Sequence, residues 1–223
     1  MKMKNKAYGF YNKCLSFLFP DRCAVCGKLT DEGKSICVDC DITFPRKFEQ
    51  FSVGEYSCYS ACEYNDNNRN IVIGAKKYRD FSKLSFMATE INDLLRAYGI
   101  IESIDIIVPV PMGRIKRITR GYNHTEKMAR HLSYLSGIET VKALRKVKES
   151  KEQKTLSRQQ RLHNLKGCYK VNERKAPKGK TLLVIDDVTT TGSTLIEVSK
   201  LLSQSGNKVI CAVFARTPFT ETE

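Results

Sequence analysis

The chain has 223 residues, enough for one sizeable α/β core and a small appendage. A hydrophobic share of 41% excludes global disorder, and no apolar run approaches the ~20 residues of a membrane helix. Lys and Arg total 38 against 24 Asp and Glu, a net charge of +14. Basic residues crowd the stretch between Arg114 and Lys180, which predicts a face that attracts phosphate groups.

Residues 1–20 are basic and then apolar. Asn12 and Lys13 interrupt the apolar stretch and no small-residue cleavage site follows, so a signal peptide is not expected. A short amphipathic helix is, with Phe10, Cys14, Phe17 and Leu18 on one face, in a cytoplasmic protein. Residues 21–45 hold four cysteines among turn formers, and 46–55 read as a linker. Residues 56–64 alternate enough for an edge strand. Helices are predicted over 68–79, with Ile71, Ala75 and Tyr78 on one side, and over 83–98, with Leu84, Met87, Ile91 and Leu94 or Leu95.

An apolar strand over 104–111 stops at prolines, and a basic loop follows over 112–122. A helix begins at about Asn123, with Glu126 as its capping-box partner. Residues 141–170 are highly charged and run into a short strand, 167–171. The run 180–187 reads as a buried strand. A Thr/Gly turn, a helix over 193–205 stopped at Gly206, and a strand over 209–215 complete the chain. Strands alternating with helices predict an α/β fold with a mostly parallel sheet flanked by helices. The expected division is a leading helix and ribbon over 1–50 and the larger domain over 51–223.

The spacing Cys23-x2-Cys26-x10-Cys37-x2-Cys40 supplies two knuckles whose four thiolates match a tetrahedral structural zinc. Gly27 suits the left-handed turn such a knuckle needs. Cys14, Cys58, Cys62, Cys168 and Cys211 lack this spacing and read as small core residues.

The run 182–194, LLVIDDVTTTGST, places Asp186 and Asp187 at the carboxyl end of a strand, followed by hydroxyl residues, Gly192 and a helix N-terminus. Open α/β sheets bind ligands at that edge, where backbone N–H groups, hydroxyls and the helix dipole surround a phosphate. Adjacent carboxylates there suit ribose hydroxyls or a metal-bound sugar. This run resembles the 5-phosphoribosyl 1-pyrophosphate (PRPP) motif of type I phosphoribosyltransferases, with Thr189 where that family usually has an aliphatic residue. The resemblance implies that Thr190, Thr191, Gly192, Ser193 and Thr194 hold the 5′-phosphate. It assigns Asp186 and Asp187 to the ribose 2′- and 3′-hydroxyls, the catalytic centre of the fold, and calls for magnesium with PRPP.

Such a transferase also needs a pyrophosphate loop. Val110 and Pro111 sit where it belongs, and Arg114, Lys116, Arg117 and Arg120 follow. With the cysteine ribbon, the 108–129 segment and the 144–169 segment containing Gln153, Leu156, Arg161 and Asn164, nearly the whole chain resembles the ComF (competence protein F) family. That resemblance implies a type I phosphoribosyltransferase fold and a mobile hood over 146–162. His124 falls where many relatives have Gln, and an ordinary capped-helix role is expected for it.

The resemblance also implies competence machinery and single-stranded DNA as partners, with Tyr122 and Tyr169 as candidate stacking residues. Two readings remain. One is a competence protein that binds PRPP or a related phosphosugar and handles single-stranded DNA in natural transformation. The alternative is an active phosphoribosyltransferase using PRPP and magnesium on a small acceptor. In a catalytic mechanism, magnesium with Arg114, Arg117 and Lys or Arg residues of the 146–162 hood would neutralise the pyrophosphate leaving group. Oligomeric state is not legible.

Overall fold

The computed structural model describes residues 21–31, 33–77, 80–148 and 165–218. The leading helix expected over 1–20 lies outside them, as does most of the 146–162 hood. The elements are α1 (Val38–Thr43), β1 (Glu49–Val53), β2 (Tyr56–Glu63), α2 (Asp66–Lys77), α3 (Phe81–Ala97), a 3₁₀ turn (Ile101–Ser103), β3 (Ile106–Pro109), α4 (Arg114–Arg120), α5 (His124–Ser136), β4 (Glu139–Thr140), β5 (Leu144–Lys146), β6 (Tyr169–Val171), β7 (Thr181–Thr189), α6 (Ser193–Ser203) and β8 (Lys208–Arg216).

Six strands form one sheet in the order β1-β2-β8-β7-β3-β4. The β1/β2 pair is antiparallel and every other neighbouring pair is parallel. The long apolar strands sit in the middle because helices cover both faces. Alternate residues of β7 and β8 go to opposite sides. Leu183, Ile185, Ala212 and Phe214 join a core with the apolar stripes of α2, α3 and α5. Leu182, Val184, Cys211 and Val213 join a second core under α6 and the β5–β6 pair. The stripe residues read from sequence, Ile71, Ala75, Leu84, Met87, Ile91, Leu94 and Leu95, are all buried.

Three expectations are corrected. The supposed linker holds strand β1, whose register with β2 runs from Glu49↔Ser60 to Val53↔Tyr56. A two-residue turn, Gly54 and Glu55, joins them, with Gly54 at φ 61°. β2 is therefore an interior strand, not an edge, and residues 58–62 are buried without alternation. The basic stretch after Pro111 is not a loop but the short helix α4, started by Gly113 and ended by left-handed Gly121 at φ 75°. It carries no buried residue, so no apolar period announced it.

On α5, His131 has no hydrogen-bond partner on Nδ1. Burial pulls its imidazole down to about 4, below the ~6.5 of an exposed histidine. The unfolded chain then takes up the proton first, so stability is full above about pH 6.5 and falls as pH drops toward 4. Urea melts at pH 7 and pH 4.5 should differ by up to about 3 kcal/mol more in the wild type than in His131→Phe, at ~1.36 kcal/mol per pKa unit. Identical pH slopes in the two proteins would assign the acid sensitivity elsewhere.

Candidate functional site

Two connections leave the sheet in opposite directions between β3 and β7. From β3 the chain crosses through α5 to β4, and from β7 it crosses through α6 to β8 on the other side. Such a switch point opens a crevice at the carboxyl ends of the strands. Pro109 pairs with Ile185, so the loop after β3 and the acids after Ile185 share this edge.

The loop is held firmly. The Val110 N–H donates to the Ile185 carbonyl at 3.0 Å. The Val110 carbonyl accepts from the Thr125 hydroxyl at 2.6 Å. Asn123, the N-cap of α5, accepts from the Thr125 N–H, and its amide reaches the Glu126 carboxylate at 3.4 Å. Pro111 is half-buried, and Arg114 and Arg117 are exposed on α4 directly beyond.

At the end of β7 the turn continues through Thr190, Thr191 and Gly192 into α6. Gly192 is the helix N-cap with φ 73°. A Cβ there would stand 2.6 Å from Val53 Cγ1 of β1, so the residue is constrained by conformation and by contact. The Thr191 and Ser193 hydroxyls lie 2.7 Å apart, and the Ser193 N–H points at the Thr191 oxygen at 3.5 Å. The turn thus presents hydroxyls and the start of an eleven-residue helix together.

The two acids differ in setting. Asp187 is 4% exposed. Its Oδ1 accepts the Val188 N–H at 2.8 Å. Its Oδ2 lies 2.5 Å from Lys76 Nζ and 3.3 Å from His124 Nε2. Burial disfavours the Asp187 charge, but Lys76 and then His124 overrule it and hold the carboxyl well below the ordinary range. Burial would likewise discharge Lys76, and the Asp187 carboxylate outweighs it, raising the ammonium pKa. Asp186 takes the Asp187 N–H on Oδ1 at 2.9 Å. Burial, and next the Asp187 charge, push the Asp186 carboxyl well above the ordinary range.

Lys76 was not singled out in the sequence. It lies 111 positions from Asp187 and reaches it only because α2 packs beside β7's end, where the Tyr122 hydroxyl donates to the Ala75 carbonyl. His124, expected as an ordinary capped-helix residue, instead faces Asp187 and leaves Nδ1 buried without a hydrogen-bond partner. Tyr169 is 4% exposed, with Lys146 over its ring, and is therefore a core residue, not a stacking platform. His124, Asp186 and Asp187 each offer an atom within 4.8 Å of the others. The carboxylate oxygens suit magnesium, and the imidazole nitrogen suits softer metals.

The four ribbon cysteines converge, with sulfurs within 4.8 Å of one another. The Cys26 and Cys37 sulfurs are 3.7 Å apart, against the ~3.8 Å edge of a tetrahedron with ~2.3 Å zinc–sulfur bonds. Gly27 is left-handed at φ 77°, as the knuckle requires. Cys37 is the N-cap of α1, and Cys40 follows in its first turn. Burial opposes ionisation of Cys23, but backbone N–H groups, led by that of Cys26, bring its thiol down to about 6. Burial and the neighbouring sulfurs push the Cys40 thiol up, so without a cation the cluster favours a thiolate at Cys23 and not at Cys40. The other described cysteines, Cys58, Cys62, Cys168 and Cys211, are buried and form no disulfide. Among the described residues no helix is long and apolar enough to cross a membrane.

The sequence profile of the phosphoribosyl transferase domain family matches residues 87–222. Competence protein F of Haemophilus influenzae is 34% identical over 57% of this chain, a match that spans 56% of that protein's length. DNA utilization protein YhgH of Escherichia coli K12 is 25% identical over 82% of this chain and 85% of its own. Competence protein ComFC of Bacillus subtilis is 24% identical, with coverages of 86% and 75%. The sheet order, the motif at its switch point and these matches agree: the chain belongs to the phosphoribosyltransferase family, as a ComF-type member with a four-cysteine ribbon ahead of the domain.

Proposed function

We propose that this protein binds magnesium-PRPP or a related phosphosugar at the β7–α6 turn and handles single-stranded DNA during DNA uptake in the cytoplasm. One observation carries the sugar half. A hydroxyl turn, a helix N-terminus and a pair of acids meet the rigid loop after β3 at a single sheet edge. In this reading Thr190 to Thr194 surround the 5′-phosphate and the Asp186–Asp187 edge faces the ribose. Val110, Pro111, Arg114 and Arg117 serve the pyrophosphate. Magnesium, when bound with the ligand, neutralises pyrophosphate charge, and the carboxylate oxygens present suit it. Calorimetry with PRPP and magnesium tests this directly: saturable binding at one site per chain is expected, and none would end the reading.

The names of the relatives, together with the exposed basic helix α4, support the DNA half. Affinity for a labelled single strand should fall with salt, with a log–log slope of about −0.7 per phosphate contact. Replacing Arg114, Arg117 and Arg120 with Ala should weaken binding for all sequences alike and flatten the slope by up to about 2. A protein that binds PRPP but no DNA at moderate salt would instead be a transferase acting on a small acceptor. The zinc proposed for Cys23, Cys26, Cys37 and Cys40 is structural, since four thiolates leave no open position.

A further inference from the structure

Resting on the phosphosugar reading, we infer that the two acids divide the work: Asp186 reads the sugar diol, while Asp187 is an anchor fixed by Lys76 and His124, which are positioning residues and not ligand contacts.

The geometry separates the pair. The two Asp187 oxygens are held differently: Oδ1 accepts the Val188 N–H at 2.8 Å, while Oδ2, buried and without an aligned hydrogen bond, is ion-paired at 2.5 Å from Lys76 Nζ and lies 3.3 Å from His124 Nε2. A ribose hydroxyl needs an acceptor oxygen, and at Asp187 it would have to displace an ammonium from a nearly inaccessible carboxylate. Asp186 is more open, and the ion pair of Lys76 is made with Asp187. The Asp186 Oδ1 accepts one backbone N–H, which leaves acceptor capacity for hydroxyls.

The anchor draws on three elements. Lys76 lies in the last turn of α2, His124 is the first residue of α5, and Asp187 belongs to β7. Tyr122 ties the end of α2 to the segment just ahead of α5. Fixing Asp187 therefore fixes the backbone N–H that Asp186 accepts, and with it the direction of the Asp186 carboxyl. The arrangement has an electrostatic consequence too. A phosphosugar diphosphate is strongly anionic, and two bare carboxylates would repel it. Lys76 offsets the Asp187 charge and leaves a single acid at the sugar.

The test compares magnesium-PRPP with magnesium pyrophosphate, which has no sugar, by calorimetry on the full chain. Asp186→Asn should weaken PRPP about three- to tenfold and leave pyrophosphate within about twofold, as expected for a lost hydrogen bond to the diol. His124→Leu should weaken PRPP selectively, and His124→Gln, which keeps an N–H for Asp187, should restore it. Lys76→Met should weaken PRPP about tenfold by stranding the Asp187 charge, and adding Asp187→Asn should recover most of that loss. Thermal melts establish that each variant folds. If Lys76→Met does not fold, refolding on addition of Asp187→Asn supports the anchor.

Two results overturn the inference: a double variant that binds PRPP no better than Lys76→Met, or a Lys76→Met variant that loses pyrophosphate as well. If the wild type binds neither ligand, the phosphosugar reading fails separately. The anchor is then judged by stability, where Lys76→Met and Asp187→Asn should be strongly non-additive, and additivity sinks it.

Discussion

Gly192→Val should abolish phosphosugar binding and lower stability by roughly 2–5 kcal/mol, from ~1–2 for a side chain in the left-handed region and ~1–3 for overpacking. The backbone stands at φ 73°, where β-branched residues are rare. The new Cβ would also meet Val53 Cγ1 at 2.6 Å and Val53 Cβ at 3.0 Å. Relief requires β1 to move away or the turn to swing out, and the second opens the phosphate cradle. Urea melts and PRPP calorimetry check the two effects. Gly192→Ala combined with Val53→Gly separates them, since it removes both the Cγ1 and the Cβ contacts and keeps the unfavourable φ. That pair should recover part of the stability. Full binding in Gly192→Val would show that the turn does not touch the ligand.

Cys37→Ser, or prolonged chelation, should release about one zinc per chain and unravel the ribbon. The loss reaches the larger domain because the ribbon is packed into it. Phe44 is 8% exposed, lies 4.9 Å edge-on from Phe86 and stacks on Phe214 at 6.3 Å. Ala24 is buried in the same core. Arg46 donates to both oxygens of buried Glu90 at 2.8 Å and also pairs with Asp41, the residue after Cys40. Uncovering Phe44 costs ~3–5 kcal/mol, and ~2–4 °C per kcal/mol puts the fall in melting temperature at roughly 6–20 °C. Elemental analysis of the purified chain and melts with and without chelator measure both quantities. A folded wild type free of metal would dismiss the zinc site. An unchanged melt after zinc removal would show that the ribbon and core are independent.

The sequence disclosed the parts whose physics is local. β7 and β8 announce themselves as continuous apolar runs, and a phosphate turn after two acids leaves few alternatives. The cysteine spacing is equally local, and the sulfurs do converge. β1 was missed because its burial alternates weakly and only Val53 is fully buried. The one available signal was the turn glycine, Gly54. α4 was missed because Ile115 and Ile118 face solvent, at 66% and 73% exposure, so its apolar residues mark no core face. The Lys76–Asp187–His124 cluster was illegible for a different reason. Ion pairing between residues far apart in the chain depends on the packing of α2 and α5, and no window of sequence contains it.

The sheet's margins have a bearing on assembly. One outer strand, β1, is five residues long, and the other, β4, is two. Arg46 and Lys47 lead into β1, and Arg216 of β8 pairs with its Glu49. Short borders flanked by charge offer few free N–H and C=O groups to a second chain, which disfavours edge-to-edge polymerisation. Self-association of this protein should therefore proceed through side-chain surfaces, and concentrated samples should resist conversion to fibrils.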